Sequence, residues 1–155
     1  VSKEIAVKNN CELHEDVDSI FRMCTHVSIH CNLTEETYHL VNSSRISLMP
    51  SIGDDGINCG NHLINCARGG VVDEIAALEA LESGQLSSVA LDVFENEPVS
   101  PDNALLSLKN VVVAPHIGSA TTLTRGKMAD IAVENAIAAL EGRPMIHCVN
   151  PDVYR

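Results

Sequence analysis

"LINCARGGVVDE", residues 63–74, decides how this chain is read. Leu63, Ile64 and Asn65 have the character of a buried strand's end, and Arg68 follows almost at once. Two glycines, two valines and the acidic pair Asp73-Glu74 come next. An arginine at the carboxyl end of a buried strand costs desolvation unless an anion meets it. Asp73 stands at an N-cap position, because "EIAALEALES" after it is helix-forming and Gly84 closes that run. The stretch therefore reads as strand, cationic turn, helix.

The same alternation extends in both directions. Val17, Ile20 and Phe21 sit at helical spacing, which predicts a short helix from Asp16 to Cys24. "HVSIHC", 26–31, reads as a buried strand. Thr34, followed by Glu35 and Glu36, predicts the capped start of another helix, and a further helix is expected over Ser43 to Met49. A glycine-rich loop, "PSIGDDGINCGN", precedes the "HLIN" strand. On the other side lie the strand "SSVALDVF", the loop "ENEPVSPDN", a helical turn "ALLSL" and the strand "NVVVAP". From Thr121 the spacing of Met128, Ile131, Ala132, Ala136, Ala139 and Leu140 predicts a long helix ended by Gly142 and Pro144.

Short continuous apolar strands that alternate with helices specify an α/β fold, a parallel sheet with helices on both faces. Ligands of such sheets bind off the carboxyl ends of the strands. There stand Cys31, Arg68, Asp92, Glu97 and His116, scattered in sequence but gathered at one edge.

Composition narrows the function. A chain of 155 residues holds one domain with a real core. With aromatic residues at only 3%, that core must be aliphatic and alanine-rich. A net charge of −11 with ten lysines and arginines excludes a nucleic-acid ligand or an acidic membrane surface as partner. No apolar run approaches a membrane span, and the first residues lack a signal-peptide pattern. The six cysteines form no CxxC pair, which favours reduced thiols and a cytoplasmic location. No metal is expected. His30 and Cys31 with Cys59 and Cys66 match no zinc spacing, and "GDDGINCG" lacks the twelfth-position glutamate of a calcium loop. His26, His30, His39, His62 and His147 read as structural or solvated.

Arg68, Glu97 and His116 together suit one task. A histidine gives or takes a proton at an oxygen, a carboxylate beside it fixes its ring, and an arginine clamps a carboxylate with two donors. Alcohol-to-ketone chemistry on a small 2-hydroxy acid needs all three and a hydride carrier. Each residue also has a plainer reading: Arg68 as a surface cation paired with Asp73 or Glu74, Glu97 as a solvated loop acid, His116 as a hydrogen-bonded core histidine.

Four segments in order, "HCNLTEETYHLVN", "INCARGGVVDEIAALEAL", "ALDVFENEP" and "NVVVAPHIGSAT", resemble the D-isomer-specific 2-hydroxyacid dehydrogenases. That family includes glyoxylate/hydroxypyruvate reductases and D-3-phosphoglycerate dehydrogenase. The resemblance covers most of the chain. It implies the second half of a Rossmann-type NAD-binding domain over 1–120, and a helix and tail over 121–155 returning toward a substrate domain. It implies NAD or NADP as cofactor and a 2-hydroxy or 2-oxo acid as substrate. The catalytic roles fall on Arg68, Glu97 and His116. Cofactor contacts fall on Cys31, Cys66, Ala67, Arg68, Asp92, His116, Ile117, Gly118 and Ser119.

Three departures accompany it. No G-x-G occurs, so the pyrophosphate cradle is not encoded. The Met49–Asn65 connection is about eight residues longer than usual, and Asn32 replaces a proline. The chain is therefore expected to be the last half of a longer enzyme, to bind NAD weakly alone, and to pair as a homodimer or with the missing half. The other reading open here is a non-catalytic, nucleotide-sensing dimerisation protein on the same fold, as in the family's corepressors.

Overall fold

Four short strands pair in the order in which they occur along the chain: β1 (His26–Ile29), β2 (His62–Asn65), β3 (Ser88–Leu91) and β4 (Val111–Val113). All three pairings are parallel. The computed structural model describes residues 2–154, which divide between His116 and Ile117 into two units. The sheet belongs to the first. Its helices are α1 (Lys3–Lys8), α2 (Val17–Met23), α3 (Ser43–Ile46) and α4 (Glu74–Glu82); α5 (Thr122–Leu140) belongs to the second.

The register makes the carboxyl ends flush. Ile29 pairs with Asn65, Asn65 with Leu91, and Leu91 with Val113. Each strand is therefore cut off at the same level, and whatever follows it in sequence emerges at one edge. Leu63, Val89 and Leu91 are buried beneath Ala76, Ala77, Ala80 and Leu81 of α4 in one apolar cluster. Alanines let the helix lie close to the sheet. Asp73 caps that helix as the sequence suggests, its carboxylate accepting from the Ile75 and Ala76 N–H groups.

Three elements differ from expectation. No helix starts at Thr34; residues 35–39 form turns. The Thr37 hydroxyl takes the Thr34 N–H at 2.7 Å and donates to the Asn32 carbonyl at 2.6 Å. His39 then turns left-handed at φ 48° and its N–H goes to the Gly70 carbonyl. Tertiary pairing wins over local propensity here: Val41 bridges Val72 in parallel, directly after the arginine turn. The helix expected over Ser43 to Met49 ends at Ile46. Helix α1, capped by the Ser2 hydroxyl, was not foreseen.

The glycine-rich loop folds on itself through an Ile52–Asn58 antiparallel bridge. Its base is closed by the buried Asn61, which accepts from the Ser51 N–H and donates to the Gln85 carbonyl.

In the second unit, α5 starts at its Thr121 cap and stops before Gly142, which takes φ 68°. The Asn135 amide holds both the N–H and the carbonyl of His147, and the Tyr154 hydroxyl accepts from the Met145 N–H. Among the described residues no helix is long and apolar enough to cross a membrane.

Candidate active site

Asn65 is fully buried and shapes the start of the site. Its amide donates to the Arg68 carbonyl at 3.0 Å, and its side-chain oxygen accepts the Ala67 N–H at 3.0 Å. The strand thus runs into a fixed turn that delivers Arg68 to the edge. The Arg68 guanidinium donates to the Ala67 carbonyl at 2.7 Å. Among the described residues no carboxylate lies at ion-pair distance from it. The plainer pairing with Asp73 or Glu74 does not form, because both acids are engaged elsewhere. Asp73 caps α4 and lies 3.7 Å from His39, and Glu74 accepts from the Glu95 N–H and the Asn103 amide.

Glu97 and His116 meet across 19 residues of sequence, His116 Nδ1 to Glu97 Oε2 at 2.8 Å. The other carboxylate oxygen accepts the Phe94 N–H at 3.0 Å. The His116 hydrogen bond is the main cause that holds the Glu97 carboxyl below its ordinary range. The Phe94 N–H adds to it, partial burial opposes it, and the positive charges of His116 and Arg68 contribute less. His116 has φ 54°, a backbone state that non-glycine residues adopt at a cost. The peptide between Glu97 and Pro98 is cis.

Two cavities flank the edge. One, of about 600 Å³, is lined by Asp92, Phe94, Glu97, Leu106, Val113 and His116, among others. Asp92 is buried, its N–H donating to the Asn65 carbonyl. The other, of about 420 Å³, is lined by His30, Cys31, Leu33, Cys66, Ala67 and Arg68, with Asn32. The structure thus brings Asp92, Glu97 and His116 to one cavity and Cys31, Cys66, Ala67 and Arg68 to the other. Ile117, Gly118 and Ser119 lie in the second unit, in a turn closed by the Ala120 N–H donating to the Ile117 carbonyl.

The residues that fix this arrangement were not singled out in the sequence. A Cβ on Gly69 would come within 1.8 Å of the Phe94 carbonyl carbon and oxygen, so the arginine turn and the glutamate loop touch backbone to backbone. Glu74 and Glu95 exchange bonds, each carboxylate accepting the other's N–H. His39 sits between two carboxylates, Nε2 at 3.2 Å from Glu95 and Nδ1 at 3.7 Å from Asp73. These three residues place possible metal ligands within 4.8 Å of one another. Since each ring nitrogen faces its own carboxylate, the group works as a clasp between loops. The glycine pair after Arg68 was the one visible signal.

The comparisons with known proteins bear on the family and the fold. Glyoxylate/hydroxypyruvate reductase B of Citrobacter koseri is 46% identical over 138 residues, 89% of this chain and 40% of that protein. Glyoxylate reductase of Thermofilum pendens is 44% identical over 90% of this chain and 39% of its own length. The crystal structure of the TT0316 protein from Thermus thermophilus superposes with a TM-score of 0.75 at 42% identity, covering 85% of this chain and 40% of that one. The chain thus spans about 40% of the length of the curated relatives it matches. Residues 2–118 match the D-isomer specific 2-hydroxyacid dehydrogenase, NAD binding domain, and this chain belongs to that family.

Proposed function

We propose that this chain carries the catalytic groups of an NAD(P)-dependent oxidoreductase that interconverts D-2-hydroxy acids and 2-oxo acids. The observation that carries the reading is the 2.8 Å Glu97–His116 bond at the sheet edge where Arg68 also emerges, with no carboxylate among the described residues at ion-pair distance from that arginine. Residues 1–120 then serve as the second half of the cofactor domain and 121–155 as the return toward a substrate domain.

The residues present fit the nicotinamide end of the cofactor. The edge offers a buried Asp92 in a cavity with His116, and a second cavity walled by Cys31 and the 66–68 backbone. When bound, NAD or NADP supplies or accepts the hydride. Asp92 orients the carboxamide, and Cys31 borders the adenosine side. Ile117, Gly118 and Ser119 enter through the family resemblance alone.

The chain's own part is proton transfer and positioning. Glu97 occupies His116 Nδ1, so the proton on that nitrogen points at the carboxylate and Nε2 is left to work. Nε2 takes the proton of a hydroxy acid's alcohol, or gives one to a 2-oxo acid's carbonyl oxygen. The ionised Glu97 stabilises the imidazolium between those states. Arg68 holds the substrate carboxylate with two parallel donors.

The test is NADH oxidation with glyoxylate and hydroxypyruvate. In a longer chain that includes a phosphate-binding segment, turnover is expected, and His116→Ala should lower it by about 10²–10⁴-fold. The 155 residues alone should bind NADH weakly and turn over poorly, because no G-x-G cradles the phosphates. Unchanged turnover in the His116 variant sinks the reading. The second reading is a non-catalytic nucleotide-sensing binding protein on the same fold, which saturable dinucleotide binding without turnover in the longer chain would favour.

Self-association, or association with a complementary half, is part of this proposal, as is a cytoplasmic location, for which the six free thiols speak. Leu123, Val133, Ile137 and Leu140 share one face of α5 and are exposed, an apolar stripe that a partner would cover. A strictly monomeric species by light scattering at high concentration would count against it.

A further inference from the structure

Three loops meet at His39. Its backbone N–H donates to the carbonyl of Gly70, two residues past Arg68. Its ring lies with Nδ1 3.7 Å from Asp73, the cap of α4, and with Nε2 3.2 Å from Glu95, two residues ahead of Glu97. The Tyr38 ring stacks on it with centroids 4.0 Å apart. The side chains of His39 and Glu95 are only 29% and 26% exposed, so solvent screens their contact less than it screens an open surface pair. The residue holds this position at φ 48°, a backbone state that costs a side-chain-bearing residue energy.

The path from His39 to Glu97 is short. Glu95 Oε1 accepts from the Glu74 N–H at 3.0 Å and is the atom that His39 Nε2 bonds. The Glu95 N–H in turn donates to Glu74 at 2.6 Å. The N–H just before it, that of Phe94, is the one that holds Glu97 Oε1 at 3.0 Å. Neighbouring peptide groups thus carry the clasp on one side and the Glu97 carboxylate on the other. The contact of Gly69 with the Phe94 backbone stops this loop from moving inward. It does not stop the loop from moving out. The bonds of His39 and Glu74 to Glu95 supply that restraint.

We infer that His39 is a positioning residue for the proposed proton transfer: it holds the 94–97 loop, and through it the Glu97 carboxylate, against His116. The inference rests on the acid/base reading of the Glu97–His116 pair. His39 touches neither residue of that pair and acts on it only through Glu95.

The experiment follows the Glu97 carboxyl carbon by NMR titration in the 155-residue chain, where the wild type should titrate below 4.5. Asparagine tolerates a left-handed backbone, but its amide falls short of Glu95. In His39→Asn the Glu97 value should therefore return at least halfway to 4.5. In His39→Gln, whose amide reaches about as far as Nε2, the lowered value should be restored. Glu95→Ala separates position from charge. Loss of a neighbouring negative charge would by itself lower the Glu97 value, whereas release of the loop raises it. A rise supports the inference, and it decides the matter even where His39→Asn does not fold. An unchanged or lowered Glu97 value in Glu95→Ala would overturn it, as would an unchanged value in folded His39→Asn.

A second arm measures NADH-dependent glyoxylate reduction in the longer chain. In His39→Asn kcat should fall about tenfold with KM nearly constant, as for a misplaced acid/base pair, and His39→Gln should recover most of it. A wild-type kcat in His39→Asn, or a loss confined to KM, would overturn the inference. Failure of the acid/base reading looks different: His116→Ala would then turn over as the wild type does, while the Glu97 titration would still report whether His39 holds the loop.

Discussion

The middle of the sheet and its β4 edge hold the two ends of the site in different ways. On β2, Leu63 and Asn65 are 0% exposed, and the turn to Arg68 is built from the buried Asn65 amide. On β4, Val112 is 68% and Val113 45% exposed, and the strand pairs with a neighbour on one side only. Arg68 is therefore placed by core packing. His116, at the end of the thinly covered strand, takes its ring orientation from one polar bond to Glu97. Packing places a group at a cost in adaptability. A polar bond between half-exposed groups places it loosely and lets pH act on it.

The largest effect should come where the two regions touch. Gly69→Ala drives a Cβ into the Phe94 backbone, which cannot yield as a flexible side chain would. We expect a loss of about 3 kcal/mol or more in urea denaturation, as for severe overpacking. Stability equal to wild type would mean that the arginine turn and the glutamate loop are not locked together.

Next comes the centre itself. Asn65→Ala removes both bonds of a buried amide and leaves the Ala67 N–H without its acceptor. A destabilisation of about 2–3 kcal/mol is expected, and the Arg68 backbone resonances should shift in NMR spectra. A change under half that size would remove the contrast between centre and edge.

At the edge the expected effect is a titration. In the unfolded chain Glu97 returns to its ordinary carboxyl value of 4.5, whereas folding lowers it. The folded state thus holds that proton less tightly than the unfolded state does. The resulting stabilisation is present above that ordinary value and is lost as pH falls through the lowered folded one. Both partners are well exposed, which keeps the effect small. An NMR titration of Glu97 in His116→Ala should show its pKa rising toward the ordinary value. No change would show that His116 is not the main cause.

The smallest effect should be at Val112→Ala, within about 0.5 kcal/mol, since its side chain is mostly in solvent. A larger loss would show that Val112 is covered in solution by a second copy of the chain.

Much of this was readable in advance, for local reasons. The β2 strand and its Asp73-capped helix were marked by apolar runs, an N-cap aspartate and Gly84, signals that act within a few residues. The helix expected at Thr34 failed because Val41 pairs with Val72, a contact between distant segments that no local window contains. Asn65 looked like an ordinary strand end; only its burial turns it into the bracket behind Arg68.

The sequence by itself determined the alternation of strand and helix, the parallel sheet and the family, since these follow from hydrophobic spacing, caps and four ordered motifs. It also named Arg68, Glu97 and His116, because chemistry-bearing residues after apolar strands stand out. Only the tertiary structure decided that Glu97 bonds His116 Nδ1, that Arg68 pairs with neither Asp73 nor Glu74, and that two thiols share its cavity. Those outcomes depend on strand register and on backbone contacts such as Gly69 against Phe94, and so on free energies shared among residues far apart in the chain.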